Sequence, residues 1–493
     1  MQEHYSHLVV ALVLVTIVLT ASPLLPRLSP PKGAPSSLPS FRGVNSPKFY
    51  RDRATFLNQG SKQTANGQFS FWYGPNHVVA LSGSSARAGY LTTRGLDSVS
   101  GFQILFGNFL NIEGLTSALT RATKLVYKRC TQDEQLVLNL HHLVNDTEES
   151  LKQLGSSAVI DPVNHIGVLV YRLTHRLNGT HDIANDLDLV HKTREMYKPL
   201  GESSMFDIWF PLLPTPAKAK KVLAYSRLYW LMQGFVSDRQ KTGRKENDAL
   251  QLMMEQGLSM PMTALGIIGA VLPAILNSTI SASWNLCFIV QNPKWMQKLK
   301  EEINNVIKSH RLASDMNNID TLRRLTLHDW EHSFPLLMMA LKETIRFVMA
   351  GTLVRKNITG KHIPIGDSGS FIPPNSLAVY ASADIHMNPE VYPEPHIWDP
   401  DRHAESNVKR QDVPHPYVGW GSGNHPCPAQ RVAKLTIIVP TVALLASFDM
   451  SMCDASGRPS HDPLPPLVFD CVGGASASKT VYIKCNSSTE AEQ

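Results

Sequence analysis

Apolar positions along the chain fall into separate stretches, each bounded by polar or proline-rich sequence. The first, residues 8–21, is almost wholly aliphatic, and with Tyr5 and Leu24-Leu25 it approaches the ~20 residues of a membrane span. No Lys or Arg precedes it, whereas Arg27 and Lys32 follow. That asymmetry predicts a signal anchor with a lumenal N-terminus and a cytosolic body, not a cleaved signal peptide. Pro23, Pro26, Pro30, Pro31 and Pro35 then predict a stiff, non-helical hinge. Residues 69–73 and 77–81 read as two short strands around a turn at Gly74, and beyond Val99 the pattern is mainly helical. Residues 205–214 are apolar but broken by Pro211 and Pro214, which suits an access or membrane-contact loop or plain core packing.

The next strong stretch spans residues 260–290; within it, 264–276 hold only apolar, glycine or proline positions, and the sequence turns polar from Asn277. That apolar run is short for a span and predicts a buried core helix. Pro273 removes one donor and frees the carbonyl of Gly269; Gly269, Pro273 and Asn277, four apart, share a face. An amide on a kinked face inside an apolar helix is costly unless it serves something. The alternative is a capped break between two core helices. Farther on, residues 334–341 predict an apolar helix, 370–374 and 377–380 extended segments, and 429–448 a buried helix with Pro428 in its first turn.

Composition adds little that is specific. The 493 residues are 43% hydrophobic and 18% charged, as in a globular protein, and 47 basic residues oppose 41 acidic ones. The excess is diffuse, with no Lys/Arg-rich run, which argues against a nucleic-acid partner. Six cysteines lack metal-finger spacing and, in a chain this long, predict reduced cytosolic thiols. A cytosolic body would leave the sequons at Asn145, Asn178, Asn277, Asn357 and Asn486 unglycosylated.

One cysteine stands apart. Small residues at 421–423 fold the chain into a tight loop that presents Cys427 ahead of a helix, whose N-terminal field favours thiolate. Such a sulfur serves as a nucleophile, as the single protein ligand of a haem iron, or merely as a buried thiol. The surrounding letters, Trp420-x-x-Gly423-x-His425-x-Cys427-x-Ala429, resemble the cysteine-ligand loop of the cytochrome P-450 family. Upstream, Glu343 and Arg346 sit three apart on an apolar helix and so predict a buried ion pair, which wants a further partner. The segment Trp398-Asp399-Pro400-Asp401-Arg402-His403 resembles the family's Pro-x-Arg segment, and the resemblance implies a structural triad of Glu343, Arg346 and Arg402.

That likeness covers roughly residues 260–450, with its motifs in the family's order. It implies a mainly α (α+β) fold with a long distal helix, a proximal cysteine loop and a small sheet region. It divides the chain into an anchor (1–25), a hinge (26–47) and a haem-binding catalytic domain (48–493). Haem b would take Cys427 as axial ligand, with His425, Arg355 and Trp420 completing the cofactor set. No Trp-x-x-x-Arg helix is evident in the N-terminal half, where Arg121 and Lys124 are the nearest candidates.

On the distal helix, Leu276 and Asn277 stand where most monooxygenases of the family carry an acid and a threonine. The pattern from Asn277 to Trp284 is similar to that of the sterol 7α-hydroxylase and prostacyclin synthase branch, which makes Asn277 and Ser278 the candidate catalytic residues. The resemblance implies oxidation of an apolar small molecule, of terpenoid, sterol-like or polyketide type, by a fungal secondary-metabolism enzyme. Electrons would come from NADPH–cytochrome P-450 reductase at the endoplasmic reticulum membrane, docking where Arg431 and Lys434 flank the ligand helix. The alternatives are a reductase-independent haem-thiolate isomerase or dehydratase, and a non-catalytic haem binder.

Overall fold

The computed structural model describes residues 29–37, 45–105, 114–209, 211, 213–404, 412–469 and 474–488. The expected anchor, residues 1–25, lies outside them. The apolar run at 264–276 is the middle of a longer element: a 32-residue helix, Met260–Gln291, that continues through Pro273 without a break. The long helix expected over 260–290 is thus present as one element, and the alternative of a capped break at Pro273 does not occur. This helix and Gln430–Ser447 are long and apolar enough to cross a membrane, yet half or more of each apolar window is buried among the other helices.

Helix Leu115–Cys130 crosses the long helix at close range, because Gly269 has no side chain to keep Thr123 and Leu119 away. The Tyr127 hydroxyl then donates to the Ala270 carbonyl at 3.2 Å. Helix Pro162–Asn178 packs on the far half of the long helix. It starts where the sequence says it should: Asp161 accepts from the Val163 amide at 2.9 Å, and Pro162 fills a first-turn position where no N–H is needed.

The strands gather into a five-stranded sheet in the order Phe69–Tyr73, Asn76–Leu81, Leu377–Ala381, Thr352–Asn357, Leu96–Asp97. The first two form the expected antiparallel hairpin, and the second pairs in parallel with Leu377–Ala381. A second sheet joins Ser157–Ile160 to the C-terminal strand Tyr482–Ser487 and to Phe448–Cys453. In the loop region at 205–214, Met205–Trp209 is a short helix with Asp207 buried, while Phe206 and Leu213 are exposed.

Aromatic rings stitch the C-terminal half together. Phe288 of the long helix stacks on Trp398 at 5.6 Å and 11°, and Trp295 meets Trp398 edge-on. The Trp398 indole donates to Thr344 Oγ1 at 3.0 Å, and that hydroxyl bonds Asn285 Oδ1 at the same distance. The long helix, the helix Pro335–Val348 and the segment before Arg402 are thus fixed to one another by neighbouring hydrogen bonds. Two of the sequon asparagines, Asn178 and Asn357, are fully buried.

The helix Ser98–Leu105 lies against the strand carrying Arg355 through Gly101, where a Cβ would stand 2.7 Å from the Val354 carbonyl and 2.8 Å from Arg355 Cα. Backbone on both sides cannot yield. Gly101→Ala is expected to cost about 1–3 kcal/mol, read as a lowered unfolding midpoint, and to displace Arg355.

Candidate functional site

The loop around Cys427 is a miniature hairpin, Gly421–Ser422 against His425–Pro426. Gly423 has φ +64, and a side chain there would strike the Leu91 carbonyl, so the turn is open only to glycine. The Asn424 amide donates to Leu91 at 2.9 Å, and the Cys427 amide donates back to the Trp420 carbonyl at 2.7 Å. Trp420 itself is partly buried and packs on the main core. The following helix begins at Gln430 with Ala429 as its cap, so Pro428 lies one position outside it and not in its first turn.

The sulfur is correspondingly farther from the helix end than expected, and its protonation follows a different balance. Burial pushes the Cys427 thiol above its usual value, opposed by a backbone hydrogen bond from Ala429. The predicted thiolate-favouring field is the weaker effect. A thiol so placed loses its proton when a metal cation binds it.

Basic groups face this loop. Arg355, 4% exposed, lays its guanidinium over the Tyr90 ring at 4.4 Å and bonds the Tyr90 carbonyl. Among the described residues it has no ion-pair partner. The His425 ring has a buried Nε2 with no hydrogen-bond partner. Its pKa is lowered by burial first and then by Arg355, with a smaller push from Lys124. Lys124, exposed on the crossing helix, adds only the smallest of these effects. A buried guanidinium without a carboxylate and an orphaned imidazole nitrogen are what the two propionates of a haem would satisfy. The donor set fits the group.

On the distal side, Leu276 turns towards Gly201, at the end of the helix Leu187–Gly201. Asn277 is half-buried and Ser278 buried, and neither side chain has a hydrogen-bond partner among the described residues. Pro273 is exposed although its helix is core, so this face borders open space.

Behind the loop, Glu343 is fully buried and bound on every side. Arg346 donates to both of its oxygens at 2.7 and 2.9 Å, and Arg402 Nε donates to Oε1 at 2.9 Å. His403 Nε2 lies 2.8 Å from Oε2, and the Asp399 amide donates to Oε1 at 3.2 Å. Reading the sequence brought three of these groups together and missed His403, the letter next to Arg402. Burial would raise the Glu343 pKa, but His403 and Arg346 outweigh it and hold the carboxyl at about 2. Arg431, expected to face a redox partner, is instead neutralised by Glu331 and Asp133.

A half-buried cysteine on a glycine hairpin, with a buried guanidinium beside it that has no ion-pair partner among the described residues, is the arrangement of a haem-thiolate protein. The comparisons agree: the Cytochrome P450 family model matches residues 135–471, and the chain belongs to that family. The cytochrome P450 monooxygenase AacuE of Aspergillus aculeatus is 28% identical, with 90% of each chain covered. The monooxygenase nsrP of Aspergillus novofumigatus is 29% identical over 82% of this chain and 80% of its own. Among solved structures, retinoic acid-bound cyanobacterial CYP120A1 shares the fold at TM-score 0.70 and 18% identity, covering 90% of this chain and 96% of that one. The chain is accordingly a P450 monooxygenase whose cofactor is haem held by a cysteine thiolate.

Replacing Glu343 by Gln leaves two guanidiniums and a histidine around a neutral amide, and is expected to cost about 3–5 kcal/mol. The same carboxylate sets an acid limit. Its folded pKa lies below the ordinary 4.5, so its contribution is complete above that pH and fades as pH falls towards 2. The shift corresponds to about 3 kcal/mol, to be read as a steep fall in urea midpoint over that window, absent in Glu343→Gln.

Proposed function

We propose that Cys427 supplies the axial thiolate, that His425, Arg355 and Lys124 hold the propionates, and that the enzyme oxidises an apolar secondary metabolite. When bound, the haem supplies activation of dioxygen and transfer of one oxygen atom to a carbon centre of the substrate. The chain's own residues do the rest. The apolar face of the long helix would select an apolar substrate by excluding water. Asn277 carries a donor and an acceptor but no labile acid. Its part is to hold a water or a substrate oxygen in place, with Ser278 one position on. The observation that carries this reading is buried Arg355 beside His425 at the Cys427 loop, with no ion-pair partner for that guanidinium among the described residues.

In this reading residues 1–25 tether the enzyme to the endoplasmic reticulum with the catalytic domain in the cytosol. NADPH–cytochrome P450 reductase supplies the electrons. Its relatives include fungal monooxygenases, in keeping with an enzyme of fungal secondary metabolism, and the substrate proposed is of terpenoid, sterol-like or polyketide type.

The decisive experiment uses microsomes carrying the full chain. Reduction under carbon monoxide is expected to give the red-shifted Soret band of a thiolate-bound haem, and Cys427→Ala to abolish it. Incubation with a panel of apolar metabolites should then give oxygenated product only with NADPH and reductase. Product formed without them would point to isomerisation, and a Soret band surviving Cys427→Ala would displace the ligand assignment.

Pro428 has no N–H to offer the sulfur, which leaves more charge on it than a second donor would. Pro428→Leu is expected to raise the haem reduction potential in redox titration, with Pro428→Ala rising in parallel because either residue restores the amide.

A further inference from the structure

Beyond the haem region, the long helix borders a cavity. It measures about 270 Å³ and lies between the helix start at Pro162, the long helix and the C-terminal segment leading into Tyr482–Ser487. Pro162, Val163, Ile280 and Trp284 give it apolar walls, while Lys479 and Thr480, both exposed, stand at its mouth. The volume is near the lower bound of small-molecule pockets and suits a bicyclic body.

The polar groups around it differ in what they have left to give. Asp161 spends its oxygens on the helix cap, accepting from the Val163 amide at 2.9 Å and from Asn164 Nδ2 at 2.8 Å. The Ser283 hydroxyl donates to the Pro162 carbonyl at 3.0 Å. Lys479 and Thr480 have no hydrogen-bond or ion-pair partner among the described residues. The indole nitrogen of Trp284, a residue 2% exposed, likewise has no acceptor. What remains unused is therefore a cation and donors, above an aromatic and aliphatic floor.

From this we infer that the cavity is a small-molecule site for an amphipathic aromatic acid. Its ring would lie among Val163, Ile280 and Trp284, and its carboxylate would reach Lys479 and Thr480. An isolated carboxylate binds poorly to one exposed lysine; the apolar floor is what makes the pairing selective. The site is separate from the oxidised substrate's place, but not isolated from it. Ile280 is three residues beyond Asn277, and its other side contacts the backbone at Gly474, where Met349 also packs. The Ala475 amide fixes that segment to the Val348 carbonyl at 2.8 Å. An occupant would hold the C-terminal segment against the long helix.

The test uses full-length holoenzyme with its haem site blocked by a tight-binding azole, and 2-naphthoate as the probe, followed by isothermal titration calorimetry. One-site saturable binding is expected. Lys479→Ala should weaken it at least five-fold, and Val163→Trp, which fills the cavity, should abolish it, with the carbon monoxide difference spectrum intact in both. If Val163→Trp lacks that spectrum, Ala477→Phe fills the same space from the opposite wall. The absence of saturable binding, or binding undiminished by the filling substitution, overturns the site. Loss on filling without any effect of Lys479→Ala overturns its selectivity for acids. Neither result bears on turnover, so the oxidation proposed above stands or falls separately.

Discussion

Glu343 keeps its negative charge where water cannot reach it, and that charge fixes the geometry behind the sulfur. Arg346 donates to the carboxylate and also to the His386 carbonyl at 2.6 Å. The His386 imidazole, buried and held at a pKa of about 3 chiefly by desolvation, is neutral and accepts from the Val418 amide at 3.0 Å. The Val418 carbonyl accepts from Gly421, and Trp420 accepts from Cys427. A continuous line of hydrogen bonds therefore runs from one carboxylate to the residue that bears the thiol. Removing the carboxylate strands charges and loosens the loop at once, because the same guanidinium does both jobs.

Most of this was legible where local letters have local consequences. The Cys427 loop, the Glu343–Arg346 spacing and the hairpin at 69–81 follow from side-chain chemistry and period. What the letters did not give were distances between remote segments. Lys124 is one basic residue among several on its helix, and only the fold brings it near His425. His403 was in plain view beside Arg402, but nothing local says that a histidine there turns inward. The second half of the long helix carries Asn277, Ser278, Thr279, Ser281 and Ser283, and the local letters alone left a capped break open there. Helix Pro162–Asn178 covers that half, and several of these small polar side chains are buried against neighbours. Tertiary cover overrode the local polarity.

The distal side shows a different economy of polar groups. Families of this kind are expected to place an acid and an alcohol on the long helix; here Leu276 packs towards Gly201 and Asn277 stands without a partner. An amide cannot ionise, so the site's dependence on pH shifts away from the distal helix and towards the buried groups around the cysteine loop. Farther up the same helix, Gly269 is the close-packing point for the crossing helix, and Tyr127 reinforces it by donating to the next carbonyl, that of Ala270.

The order in which these parts leave the ribosome has a consequence of its own. Glu343, Arg346, Arg402, His403 and Cys427 all belong to the last third of the chain, and Ser157–Ile160 finds its sheet partner only at Tyr482–Ser487. During synthesis the long apolar helix Met260–Gln291 must therefore wait for more than a hundred residues before the helix Gln430–Ser447 arrives to cover it. The cysteine of the haem-ligand loop is therefore among the last parts to be made. A nascent chain stopped before residue 427 is not a weakened enzyme but an aggregation-prone fragment, for chaperones to hold and proteases to clear.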